Sequence, residues 1–126
     1  VNKKVLVTGA AGFIGSHLCE RLIGGDWDVV GLDNFDDFYD PAVKRNNISR
    51  CLQSEQFELV EGDIRDANCV ESVLDGPINI VVHLAAKAGV RPSIENPVEY
   101  QDVNVNGTLV LLEAVKKGGV KKFVFG

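Results

Sequence analysis

Two rhythms of apolar and polar positions take turns along this chain. Short runs rich in branched and aromatic residues recur at 4–8 (KVLVT), 28–33 (DVVGLD), 57–63 (FELVEGD), 78–86 (INIVVHLAA) and 120–126 (VKKFVFG). Each is strand-length, and each predicts a β-strand. The run at 78–86 is almost continuously apolar, as a strand covered on both faces should be. Between the runs the apolar spacing becomes helical. Ile14, Leu18, Leu22 and Ile23 mark a helix over 13–24, ended by Gly24 and Gly25. A polar helix is expected over 40–53, with Asp40 as N-cap and Pro41 at its first position. Asp66 caps a short helix over 66–75 that Gly76 and Pro77 stop. Residues 87–96 read as a loop. A long helix follows over 97–118, with Val103, Leu109, Leu112 and Val115 along its core side.

Alternating strands and helices predict an α/β fold, a Rossmann-like doubly wound parallel sheet with right-handed crossovers. The expected strand order is 3-2-1-4-5, with a ligand at the carboxyl ends of the strands. Such a sheet normally continues past a fifth strand, so the pattern reads as truncated there, with strand five left as an exposed, association-prone edge. The 126 residues suit one domain, residues 1–126, with enough chain to bury a core. A chain that starts at Val1 and contains no Met reads as a piece of a longer protein.

Composition narrows the function. A net charge of −5 without a basic stripe argues against nucleic acid as a partner. No apolar stretch approaches a membrane span, and no signal peptide is visible. Three cysteines, Cys19, Cys51 and Cys69, without C-x-x-C spacing read as reduced thiols of a cytoplasmic protein, not as a disulfide frame or a metal site.

The chemistry gathers at the predicted strand ends. Gly9, Gly12 and Gly15 lie between the first strand and its helix in G-x-x-G-x-x-G spacing. A turn without β-carbons lets backbone N–H groups approach a pyrophosphate, and the helix start adds a favourable dipole. Asp33 closes the second strand, 18 residues after Gly15. A carboxylate there suits both hydroxyls of an adenosine ribose and repels a 2′-phosphate, which favours NAD over NADP. No Arg between Asp33 and Tyr39 offsets that charge. Asp63 and Ile64 end the third strand, where they flank an adenine; a helix cap by Asp63 or Asp66 is the competing reading. Small Ala85 and Ala86 permit close backbone approach after the fourth strand. Lys87 reaches either cofactor hydroxyls or solvent. His83, inside an apolar run, reads as a satisfied core residue. Asn104 and Gly107 share one helix face, which suggests a hydrogen bond from Asn104 to a neighbouring backbone or a ligand; Asn106 reads as a surface residue.

The segments TGAAGFIGSHL, LDNF, GDIRD, HLAA and NVNGTLVLLEA occur in this order across almost the whole chain. Together they resemble the extended short-chain dehydrogenase/reductase family. Within it, LDNFDDFYDPAVKRNNI and HLAAKAGVRPSIENPVEY are most similar to NAD-dependent nucleotide-sugar 4-epimerases, the branch acting on UDP-glucuronate. The resemblance implies reversible hydride exchange between NAD and the sugar C4 through a transient 4-keto sugar. It assigns Gly9, Gly12, Phe13, Ile14 and Gly15 to the pyrophosphate. It assigns Asp33 and Asn34 to the adenosine ribose, and Asp63 and Ile64 to the adenine. Leu84, Ala85, Ala86 and Lys87 would line the nicotinamide-side ribose with Asn104 behind them. Arg91 would meet the UDP-sugar or its phosphates, the alternative being an exposed loop arginine.

The resemblance also implies a catalytic Ser or Thr and a Tyr-x-x-x-Lys pair beyond Gly126. Tyr39 and Tyr100 are the chain's only tyrosines, and neither has Lys four residues later. The expectation is a cofactor-binding portion that is inactive alone, from a parent that is a homodimer. A 4,6-dehydratase or reductase of the same family, and a non-catalytic NAD-binding module, stay open as alternatives.

Overall fold

The computed structural model describes residues 3–38 and 40–126; Tyr39 lies outside the described residues. Five parallel strands, β1 (Lys4–Thr8), β2 (Asp28–Asp33), β3 (Phe57–Glu61), β4 (Ile80–His83) and β5 (Lys122–Phe125), form one sheet in the order β3-β2-β1-β4-β5. Both β2 and β4 pair with β1, so Thr8 lies opposite Leu32 on one side and His83 on the other. The strand order reverses at β1, and the crevice opens at the carboxyl ends beside it.

The described residues form the α-helices α1 (Phe13–Gly24), α2 (Pro41–Ile48), α3 (Ala67–Leu74), α4 (Val90–Glu95), α5 (Pro97–Gln101) and α6 (Gly107–Lys117), of which α1 and α2 pack on one face of the sheet and α3 and α6 on the other. Successive strand residues point to opposite faces, and the core divides accordingly. Leu6, Leu32 and Val81 pack with Val70, Leu74, Leu111 and Ala114 beneath α3 and α6. Val5, Val7 and Val29 pack with Cys19, Ile48 and Cys51 beneath α1 and α2. Burial pushes the Cys19 thiol up to about 12, with Cys51 and Glu20 adding to the effect. Among the described residues no helix is long and apolar enough to cross a membrane.

Local chemistry explains the helix starts. Asp40 accepts the Ala42 N–H and Pro41 sits at the first turn of α2. Asp66 accepts the Asn68 and Cys69 N–H groups at the start of α3.

Several expected elements are redrawn. β3 stops at Glu61, because Asp63 turns back on the Arg65 N–H. β4 contains only Ile80–His83, the stretch that β1 can pair before it turns at Gly9. The helix expected over 40–53 ends at Ile48, and Cys51–Gln53 form a separate 3₁₀ turn. Part of the expected loop at 87–96 is helix α4. The long helix is interrupted by a π turn at Asp102–Asn106. Its core side is Gly107, Leu111 and Ala114, whereas Leu109 and Leu112 are exposed. At its start the helix packs so closely that a Cβ at Gly107 would meet the Ile64 side chain at 2.7 Å, which selects glycine there. On α1, Gly15 and Cys19 face inward, and Ile14 is 69% exposed.

Candidate functional site

A cleft opens at the carboxyl ends of β1, β2, β3 and β4. Its lining brings together Gly9, Gly12, Asp33, Asn34, Asp63, Ile64, Leu84, Ala85, Ala86 and Lys87. These residues come from four separate segments, and only the parallel order places their strand ends side by side.

The β1–α1 turn forms one end of the cleft. Gly9 has φ +71°, and a Cβ there would lie 2.9 Å from the Ala85 nitrogen. A Cβ at Gly15 would be driven into the Gly9 carbonyl. Both positions therefore require glycine, one for its backbone conformation and one for helix–turn contact. Gly12 is the N-cap of α1, and no side chain caps the helix. The leading N–H groups of an uncapped helix are an anion-binding arrangement. Phe13 and Ile14 occupy this first turn and are exposed.

Asp33 is the hub of the next wall. Its Oδ2 accepts the Ala11 N–H at 3.0 Å. Its Oδ1 accepts the Phe35 N–H at 2.8 Å and the Lys44 ammonium at 3.1 Å. The loop beyond it winds on its own side chains, since Asn34 Oδ1 accepts the Asp36 N–H and Asp36 Oδ1 accepts the Phe38 N–H. Phe35 stands at φ +54°, a left-handed conformation uncommon for a bulky residue. The Asp33 bond and the Arg45 guanidinium, 3.9 Å from the Phe35 ring centre, hold it there.

At the β3 end, Arg65 donates to both Asp63 oxygens, at 3.0 and 2.7 Å, and to Asp102 at 2.9 Å. The Arg65 hydrogen bonds hold the Asp63 carboxyl below its usual range, against a smaller opposing effect of burial. Asn34 donates to the second Asp63 oxygen at 3.3 Å. Ile64 is buried against Gly107.

The β4 end rests on a relay of hydroxyl, imidazole and amide groups. Thr8 Oγ1 accepts the Leu84 and Ala85 N–H groups, both at 3.0 Å. Its single hydrogen is therefore left for His83 Nδ1, at 2.6 Å. This assigns the His83 proton to Nε2, which donates to Thr108 Oγ1 at 2.9 Å. Thr108 in turn donates to the Asn104 carbonyl at 2.7 Å. Burial lowers the His83 pKa and favours this neutral ring. The Asn104 side chain accepts the Lys87 N–H at 2.8 Å and donates to the Lys87 carbonyl at 3.0 Å. The π turn is the device that brings Asn104 to this loop; such turns concentrate at functional positions. Asn106, in the same turn, donates from its side chain to Asp102 at 3.2 Å.

Lys87 Nζ contacts Asp36 at 3.3 Å and Glu99 at 3.4 Å. Burial disfavours its charge, but the two carboxylates outweigh burial and raise its pKa. Arg91 is exposed on α4 and is not among the cleft residues. Asn104 acts through the Lys87 backbone, not from the lining. Sequence reasoning missed Asp36, Phe38, Lys44 and Val103, which also line the cleft. The spacing of Lys44 and Ile48, four apart on a capped helix, was the available signal that Lys44 faces inward.

Known proteins resemble this chain in sequence and fold. A UDP-glucuronate 4-epimerase of Thermodesulfobacterium geofontis is 44% identical over 120 residues, which are 94% of this chain and 37% of that protein. UDP-glucuronate 4-epimerase 3 of Arabidopsis thaliana is 47% identical over 113 residues, 89% of this chain and 26% of that protein. The crystal structure of a Bacillus cereus UDP-glucuronic acid 4-epimerase, in complex with UDP-glucuronic acid and NAD, superposes with a TM-score of 0.89 at 39% identity. That match covers 97% of this chain and 39% of the other. The chain thus spans well under half the length of these relatives. The sequence model of one family accounts for residues 5–126, and the chain belongs to it: the NAD dependent epimerase/dehydratase family.

Proposed function

We propose that residues 1–126 are the NAD-binding portion of a nucleotide-sugar 4-epimerase whose substrate is UDP-glucuronate. The observation that carries the reading is the joining of an uncapped, glycine-lined helix start to a strand-end acid across one cleft. The glycine turn leaves room for a diphosphate where β-carbons would close it. The first-turn amides of α1, at Phe13, Ile14 and Gly15, would hold that diphosphate. Asp33 and Asn34 would hold the adenosine ribose, and Asp63 and Ile64 would flank the adenine. Leu84, Ala85, Ala86 and Lys87 would line the second ribose, with Asn104 fixing the Lys87 backbone. When bound, NAD supplies reversible hydride exchange with the sugar C4. This chain's part is to orient the dinucleotide and to exclude water from the β4 side.

The names and bound ligands of the relatives support an epimerase acting on a UDP-sugar. Arg91 is proposed to meet that sugar nucleotide, since α4 carries it beyond the cleft lining. Neither tyrosine is followed by Lys at the fourth position, so the proton-abstracting pair is assigned outside these residues. The parent is proposed to be a cytoplasmic homodimer. Calorimetry tests the reading directly. The chain is expected to bind NAD and to show no turnover of UDP-glucuronate by itself. A folded chain without NAD affinity overturns the cofactor assignment, and epimerase turnover by this chain overturns the placement of the acid–base pair.

A further inference from the structure

The corner that Asp33 occupies holds a cation as well as an acid. Lys44 reaches it from α2, with Nζ 3.1 Å from Asp33 Oδ1 and side-chain exposures of 11% and 3%. Both residues line the cleft. In dinucleotide folds an acid at the β2 end takes the ribose hydroxyls of NAD, and a nearby Arg accommodates the 2′-phosphate of NADP. Here the two kinds of group lie in contact. A carboxylate has about four acceptor positions. Ala11, Phe35 and Lys44 already occupy three on Asp33. The acid therefore has too few sites left to take both ribose hydroxyls unaided. The neighbouring Arg45 is not an equivalent cation, since it is exposed, bonded to Glu61 and laid over Phe35.

We propose that Lys44 is a second specificity determinant: its ammonium is kept engaged by Asp33, and in a chain neutral at position 33 it receives the 2′-phosphate of NADP. The inference rests on the NAD-binding reading above. In the native chain Asp33 supplies both the repulsion of that phosphate and the partner that occupies Lys44. Removing the acid reverses both effects at once, and leaves a nearly buried ammonium without its carboxylate. A doubly charged phosphate is its natural partner.

The test is calorimetry of the chain with NAD and with NADP, the weaker ligand being measured by competition against the tighter. The native chain is expected to favour NAD. Asp33→Asn is expected to gain at least tenfold in NADP affinity, about 1.4 kcal/mol, and to reverse the preference. The double variant Asp33→Asn/Lys44→Met is expected to lose that gain. No NADP gain in folded Asp33→Asn, or a gain that survives loss of Lys44, overturns the proposal. If Asp33→Asn does not fold, as judged by circular dichroism, Asp33→Ser and Asp33→Ser/Lys44→Met take its place, and a gain absent from the first or surviving in the second overturns the proposal. A native chain that binds NAD while these variants fail removes only the Lys44 inference. A native chain that binds neither dinucleotide removes the cofactor reading and this inference with it.

Discussion

Two acids stand at adjacent strand ends and live in different surroundings. Asp33 at the end of β2 is almost wholly buried and is held by two backbone amides and Lys44. Asp63, just past β3, is 27% exposed and is held by Arg65, itself 36% exposed and shared with Asp102. The first joins the glycine turn, its own loop and α2 into one unit. The second decorates the rim. Sequence position made the two look alike; burial gives one a structural role and leaves the other adjustable.

The sharpest way to break this contrast is Asp33→Ala. Removing one partner of a buried ion pair leaves the other uncompensated, so urea unfolding should show a loss of about 3–5 kcal/mol. A loss below 1 kcal/mol would place Asp33 in the same class as Asp63. Asn104→Ala comes next. It removes two hydrogen bonds to the Lys87 backbone, with an expected cost of about 1–3 kcal/mol and a weaker hold on NAD by titration.

Acid sharpens the comparison further. The folded His83 pKa lies below the ordinary 6.5, so the unfolded chain takes up the proton first. Stability is therefore full above about pH 6.5 and falls as pH drops toward the folded value, by at most about 1.4 kcal/mol per unit. His83→Phe should abolish that slope in melts between pH 7 and 5. Asp63, with its carboxyl held low, contributes its stability above the ordinary carboxylate range and loses it in stronger acid. The smallest effect is Asp63→Ala. An exposed pair is worth about 0–1 kcal/mol, and the difference should vanish in about 1 M salt. A salt-insensitive loss would show that the rim is as rigid as the buried corner.

Much of this was legible in the sequence. The β1–turn–α1–β2 unit, the Asp40 and Asp66 caps and the strand order follow from local patterns that tertiary contacts reinforce. The cleft residues at the strand ends, such as Asp33, Asp63 and Ala85, also emerged, because strand-end position is set by topology. The rest depended on contacts between distant segments. Nothing near Asp33 announces Lys44, which arrives from the following helix. The π turn at Asp102–Asn106 is fixed by Asn104 reaching a loop 17 residues earlier. Leu109 and Leu112 looked like the core stripe by hydrophobicity, but the face that turns inward carries Gly107, Leu111 and Ala114, with Gly107 set where the helix lies against Ile64. Helix α4 has no buried residue, so no amphipathic stripe marked it.

The Thr8 hydroxyl has one more consequence. The ladder between β1 and β4 ends at Thr8 and His83. Leu84 and Ala85 lie beyond its last strand pair, and a single oxygen accepts both of their amides. That oxygen works as a zipper stop. Hydrogen–deuterium exchange at these two amides should be slow and should accelerate together in Thr8→Val, a change that keeps the shape of the side chain and takes away only its lone pairs and proton.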